Sequence, residues 1–196
     1  MKLEEIGLVL LASGLSTRFG GDKLLAPLRG APLLSHAAGA LKAAPVGARL
    51  AVAGAGQKER QALLRTAGWE LLLNPAPEAG QGAALALAAR AVAARPEIEG
   101  LLVLLGDMPL IPDAHLEALA AAMAPGLTAV VSVAEGVRTP PALFARSAFP
   151  ALAALSREAG ARQLLQEAEG VGEAPLDPSL ASDIDTPADL ARLEAR

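Results

Sequence analysis

Three stretches of the 196-residue chain carry side chains suited to chemistry, and the first two directly follow apolar runs. Residues 10–23 read LLASGLSTRFGGDK. Small residues at Ala12, Ser13 and Gly14 precede Arg18, the pair Gly20–Gly21 and Lys23. Glycines let backbone N–H groups approach a polyphosphate closely, and an arginine and a lysine neutralise it. A glycine-rich β–α turn with two solvated cations would carry the same letters. The stretch is not a Walker loop, which needs Gly-Lys-Ser/Thr where this chain has Gly21-Asp22-Lys23-Leu24. It is not a nucleophile elbow either, because Gly14-Leu15-Ser16-Thr17-Arg18 lacks the closing glycine. Residues 101–109, LLVLLGDMP, put Asp107 just after an apolar run. A carboxylate there can hold Mg²⁺, which takes hard oxygen ligands and substrate phosphates, or it can satisfy the N–H groups of its own turn. The third stretch is Asp183-Ile184-Asp185-Thr186-Pro187. Extended backbone would turn both aspartates to one side, toward a metal, while Asp185 could instead cap the helix that follows.

The elements that must position these residues alternate along the chain. Continuous apolar runs predict strands at 6–12, 49–53, 69–73, 101–105 and 128–133. Helical spacing predicts helices at 33–44, 57–66, 82–94, 112–123, 146–155, 159–168 and 187–194. This order implies an α/β domain with a mainly parallel sheet and helices on both faces. The segment 134–181 is less regular and is expected to carry an antiparallel strand and part of an acceptor site. Ligands in such sheets bind beyond the carboxyl ends of the strands, which is where the first two motifs begin.

Composition removes several classes of function. Lys and Arg number 17 against 21 Asp and Glu, a net charge of −4, which disfavours nucleic acid and anionic membrane as partners. Aromatic residues are 2% of the chain, too few for a base-stacking platform. With no cysteine there is no disulfide, iron–sulfur cluster or thiol nucleophile. Although 53% of residues are hydrophobic, charged residues or proline interrupt every run before the roughly 18 residues of a membrane span. Glu4 and Glu5 stand where a signal peptide would be basic, so a cytoplasmic protein is expected.

Taken together, LLASGLSTRFGGDKLLAPL, the segment from Asn74 to Gly82, LVLLGDMPLI and DIDTPADL resemble the MobA-like nucleotidyltransferases, and among them the molybdenum cofactor cytidylyltransferases. The resemblance runs over nearly the whole chain and implies a single domain, 1–196, with a three-layer Rossmann-like fold. It implies Mg²⁺-dependent transfer of a nucleotidyl group, CMP from CTP, to a phosphorylated acceptor such as molybdopterin, with release of pyrophosphate. Molybdoenzyme maturation proteins are the partners it suggests. Carried over, Ala12, Ser13 and Gly14 would line the base and ribose, and Arg18 and Lys23 would hold the triphosphate. Asn74, Gly80 and Gly82 match a nucleoside-contacting segment. Asp107 matches a metal ligand, and Asp185 matches the second ahead of Asp183. Relatives using GTP carry glycine at the position of Ser13 and those using CTP carry alanine, so the size of Ser13 groups it with the latter.

The acceptor-side segments depart from the cytidylyltransferase pattern. Arg138-Thr139-Pro140-Pro141 stands where Gly-His-Pro is usual, Gln81-Gly82-Ala83-Ala84-Leu85 replaces a serine-containing segment, and Arg157-Glu158 replaces Gly-Asp. A sugar-phosphate or polyol-phosphate acceptor, or GTP as donor, therefore stays open. So do a dinucleotide-binding module at Gly54-Ala55-Gly56, whose third glycine is replaced by Glu59, and an accessory protein that binds nucleotide without turnover. His36 and His115 lack ligand-spaced partners and are expected to be structural or surface residues. Trp69 is expected to pack at a strand start, and Arg162 to be an exposed helical arginine or an acceptor-phosphate contact.

Overall fold

The computed structural model describes residues 1–156 and 170–195. Its first apolar run forms β1 (Ile6–Leu11), and every residue of that strand is buried. The run is continuous because both faces are covered. Leu8 and Leu10 pack into the core on one side of the sheet, and Val9 and Leu11 into the core on the other. A two-residue turn at Arg29-Gly30, with φ of 49° and 83°, joins β2 (Pro27–Leu28) to β3 (Ala31–Pro32) in a small separate hairpin. Positive φ at both turn residues suits the twist of a hairpin.

The main sheet adds β4 (Ala48–Gly54), β5 (Glu70–Asn74), β6 (Gly100–Leu105), β7 (Ala129–Ala134), β8 (Val137–Ala145) and β9 (Val171–Pro175). Its strand order is β5-β4-β1-β6-β8-β7-β9. Only β8 runs against the others. The expected antiparallel strand in 134–181 is β8, and the predicted mainly parallel sheet is observed. The chain leaves β1 toward β4 and β5 on one side and β6 on the other. Beside β1 is thus the crevice where the order of connection reverses, the place such sheets bind ligands.

Helices α1 (Leu33–Ala38), α2 (Lys58–Thr66), α4 (Asp113–Ala122) and α6 (Pro187–Glu194) cover one face. Helices α3 (Gly80–Ala93) and α5 (Phe149–Ala153) cover the other. Two predicted helices are shorter than their periodicity suggests. Helix α1 stops at Ala38 rather than 44, the backbone continuing in i→i−3 turns with Leu41 at a φ of 49°, and side chains take the carbonyls there. The Trp69 indole N–H donates to the Ala38 carbonyl at 2.9 Å, and Arg49 donates to those of Ala40 and Leu41 at 2.8 and 2.9 Å. The segment 146–155 splits into a 3₁₀ turn, Arg146–Ala148, and α5. Pro150 has no N–H for the Arg146 carbonyl, so one continuous helix cannot form. The predicted helix 159–168 and Arg162 lie outside the described residues. Among the described residues no helix is long and apolar enough to cross a membrane.

Candidate active site

The chain leaves β1 at Leu11, and Ala12 still donates to the Val52 carbonyl at 2.8 Å. The loop that follows ends at Asp22, whose carboxylate caps the 3₁₀ turn Lys23–Leu25 through the Leu24 N–H at 3.1 Å. That turn aims Lys23 back across the end of β1. On the neighbouring strand, β6 gives way to Gly106 and Asp107. A Cβ on Gly106 would stand 3.0 Å from a Leu34 methyl and 3.3 Å from the Leu11 carbonyl, so glycine lets Asp107 lie close over β1. The third motif is zipped onto the second, since the Ile184 N–H donates to the Asp107 carbonyl at 3.1 Å. Ile184 is buried, and Asp183 and Asp185 on either side of it both line one cavity of about 470 Å³. Three motifs separated by up to 162 residues thus meet at one edge of the sheet.

Lys23 is the hub of that edge. Its Nζ donates to Asp107 Oδ2 at 2.7 Å and to Asp185 Oδ1 at 3.0 Å, while Arg18 Nη1 reaches Asp185 Oδ2 at 2.8 Å. Burial works to lower the Lys23 pKa. The charges and hydrogen bonds of Asp107 and Asp185 outweigh it, so the ammonium lies above its ordinary value. Asp183 is pushed above the usual carboxylate range, first by loss of water and then by the charges of Asp185 and Asp107. The site therefore holds negative charge that the protein's own cations compensate only in part.

Asp185 does not cap α6. The Thr186 hydroxyl accepts from the Asp189 N–H at 3.3 Å, and Asp189 Oδ2 accepts from the Thr186 N–H at 2.7 Å. This reciprocal box holds the Asp189 carboxyl down to about 2, through the Thr186 hydroxyl first and the adjacent Arg192 next. Asp185 is left free to face Lys23 and Arg18.

Ala12, Ser13, Gly14, Arg18, Lys23, Gly80, Asp107, Asp183 and Asp185 all line the cavity. Asn74 and Gly82 do not. Asn74 is buried one layer away, donating to the Ser13 hydroxyl at 3.2 Å and accepting from the Ala76 N–H at 3.0 Å. Gly82 is buried within α3. Glu78 and Gln81, which lie in the Asn74–Gly82 segment of the resemblance, also join the wall. Gln57, Arg60 and Gln61 gave no signal in the sequence beyond a helix at 57–66. In the fold Arg60 is only 2% exposed, and Gln57 and Gln61 fill the turn after β4.

That turn is Gly54-Ala55-Gly56, and its backbone is already engaged. Gln57 Oε1 accepts from the Gly54 N–H at 2.7 Å, Gln61 Nε2 donates to the Gly54 and Ala55 carbonyls, and the Ala55 N–H goes to Asn74. A dinucleotide pyrophosphate needs those N–H groups free. His115 is buried against the Ser132 hydroxyl at 2.7 Å, and His36 lies 2.9 Å from the Leu28 carbonyl, both structural arrangements. Trp69 packs beneath the Arg49 guanidinium, 4.5 Å from its ring centre.

Among the described residues no three His, Cys, Asp or Glu side chains converge as a self-sufficient metal cage. Two carboxylates sharing one cation do fit the needs of Mg²⁺, which takes one or two carboxylates and completes its shell with substrate phosphates and water. Asp107 and Asp185, both within 3.0 Å of one ammonium nitrogen, are such a pair.

Comparison with known proteins identifies the family and the fold. The family model described as the MobA-like NTP transferase domain matches residues 8–171. The chain belongs to the MobA-like NTP transferase family. It is a member of a family of nucleotidyltransferases, as the three motifs imply. It is 34% identical over 193 residues to the purine catabolism protein PucB of Bacillus subtilis (strain 168), covering 91% of each chain. The crystal structure of Rv0371c from Mycobacterium tuberculosis H37Rv superposes with a TM-score of 0.87 at 26% identity, covering 100% of both chains. Rv0371c has also been solved in complex with manganese, with a TM-score of 0.81 at 24% identity over 97% of this chain and 98% of that one. The molybdopterin-guanine dinucleotide biosynthesis protein A of Archaeoglobus fulgidus shares the fold, with a TM-score of 0.67 at 23% identity over 96% and 97% of the two chains.

Proposed function

We propose that this MobA-like protein transfers CMP from CTP to the phosphate of molybdopterin or its molybdenum-loaded form, releasing pyrophosphate. The observation that carries the reading is the Lys23 ammonium held between Asp107 and Asp185 beneath the small-residue loop. This is a seat for a triphosphate and its counter-cation. The acceptor phosphate oxygen attacks the α-phosphorus in line with the bond to the β-phosphate, and that bond breaks to release pyrophosphate. An ionised phosphate needs no general base, so the protein's task is alignment and charge compensation.

Lys23, with its side chain 12% exposed, is a fixed point charge for the triphosphate. Arg18, 72% exposed, can swing from Asp185 to fork across phosphate oxygens. Ser13 narrows the base pocket by its Cβ, and its hydroxyl, already accepting from Asn74, keeps a proton to donate to a pyrimidine acceptor atom. Held by Asp107 and Asp185, Mg²⁺ would supply further neutralisation of the phosphate oxygens. The manganese complex of Rv0371c supports a divalent ion in this fold, and the Archaeoglobus protein's name supports a molybdopterin acceptor.

The test is pyrophosphate release by the purified chain with Mg²⁺, using CTP or GTP against molybdopterin, a sugar phosphate and a polyol phosphate. Turnover with CTP and molybdopterin is expected. Turnover with a sugar or polyol phosphate alone would reassign the acceptor, and nucleotide binding without pyrophosphate release would make the chain an accessory protein.

A further inference from the structure

A loop that binds nucleotide through its N–H groups must be held from behind, and helix α2 and its N-cap residue Gln57 do this with side chains that do not line the cavity. Arg60 Nη1 donates to the Ala12 and Gly14 carbonyls, each at 2.8 Å. Gln57 Nε2 donates to the Ser13 and Gly14 carbonyls, each at 3.2 Å. In a trans peptide unit a carbonyl and the next N–H point in opposite directions. Pinning the carbonyls of residues 12, 13 and 14 toward α2 therefore turns the N–H groups of Ser13, Gly14 and Leu15 away from it. Those three residues line the cavity, and among the described residues none of their N–H groups has a protein acceptor.

The same guanidinium also holds the other end of the loop. Arg60 Nε contacts both Asp22 carboxylate oxygens at 2.9 and 2.8 Å, and Nη2 lies 2.7 Å from Asp22 Oδ1. Asp22 in turn caps the turn that starts at Lys23. One buried cation thus fixes both the donor face of the loop and the origin of its phosphate-binding lysine. Arginine suits this because its rigid fork serves several acceptors at fixed angles, which an ammonium cannot do.

We propose that Arg60 and Gln57 are the positioning residues of the nucleotide loop, a latch from α2 that presents three consecutive N–H groups and Lys23 to a nucleoside triphosphate. The proposal rests on the nucleotidyl-transfer reading and concerns the donor nucleotide, not the acceptor. A latch of this kind acts through alignment, and small misplacements of a bound reactant cost about a hundredfold in rate.

The experiment compares wild type with Arg60→Lys and Gln57→Ala. CTP and GTP affinity is measured by calorimetry, KM is measured separately for nucleotide and acceptor, and melting temperature is recorded. Gln57→Ala removes a partly exposed side chain, so it remains testable if the buried substitution fails to fold. The expected result is a nucleotide Kd and KM weakened about tenfold or more in each folded variant, with acceptor KM within about twofold of wild type. Unchanged nucleotide affinity in folded variants overturns the latch while leaving the nucleotidyltransferase reading intact. Both KM values rising together with a lowered melting temperature would make the role of Arg60 and Gln57 structural only. A wild-type chain that binds neither CTP nor GTP overturns both.

Discussion

Asp107 and Asp185 differ from every other acidic residue described in sharing one lysine nitrogen, and the chemistry should depend on both. Asp107→Ala is expected to lower turnover by roughly 10³-fold or more, since charge compensation at phosphate oxygens is worth several kcal/mol and each decade is about 1.4 kcal/mol. The fold should persist, because the side chain lies at the cavity wall. Asp185→Ala should be similarly damaging, and Asp183→Ala milder, because Asp183 accepts from neither Lys23 nor Arg18 in the observed pairing. Steady-state pyrophosphate assays at saturating Mg²⁺ rank the three, and an Asp183 variant worse than Asp185 reverses the assignment. Ser13 belongs to the same scale. Overfilling a fixed pocket costs about 1–3 kcal/mol, so CTP should be preferred over GTP by roughly ten- to a hundredfold in kcat/KM. Ser13→Gly should narrow that ratio in a competition assay with equal nucleotides. A wild-type preference for GTP would remove the steric argument.

Single elements carry two further consequences. Thr186 and Asp189 cap α6, which leaves Asp185 to the site. Thr186→Ala should cost about 1 kcal/mol of stability, read by denaturant unfolding. It should reduce turnover far less than Asp185→Ala, because the Lys23–Asp185 pair needs no atom of Thr186. The second consequence joins α4 to the sheet. The Ser132 hydroxyl donates to the Pro141 carbonyl at 2.7 Å, so it can only accept from His115, whose Nε2 must carry the proton. Burial alone lowers the His115 pKa below its ordinary 6.5, and the ring is held neutral. Protons then bind the unfolded chain more tightly than the folded one. The stabilising contribution of the neutral ring is whole above pH 6.5 and declines as the pH falls below it. Melting temperature measured across pH should drop on the acid side in wild type and drop less in His115→Gln. Parallel curves would exclude His115 as the source.

At the scale of the whole molecule, the sheet separates two cores, and the site sits at its edge rather than in either. Leu102 on β6 is fully buried in the core shared with α1 and α4. Leu102→Ala should therefore cost about 2–5 kcal/mol of stability, because the removed methyl groups leave a cavity that the neighbours fill only in part. Its nucleotide and acceptor KM values should stay near wild type at temperatures where it is folded. A large KM change in a fully folded Leu102→Ala would mean that core packing reaches the loops more directly than the sheet architecture implies.

Much of this was legible in the sequence because it is local. Continuous apolar runs identify β1 and β6, since a strand covered on both faces has no polar side to show. The aspartate after β6 and the cationic glycine-rich loop after β1 announce their chemistry by type and spacing. The helix expected at 187–194 has the same bounds in the structure. What the letters left open depended on partners far along the chain. Asp185 as a cap or a site residue was decided by Asp189 and Lys23 together. The turns that end α1 early present carbonyls to Trp69 and Arg49. Arg60 looks like any exposed helical arginine until the fold buries it against Ala12, Gly14 and Asp22. A side chain's task at such a position is set by which backbone carbonyls and charges surround it. Those neighbours come from elements tens of residues away, which only tertiary packing brings within hydrogen-bonding distance.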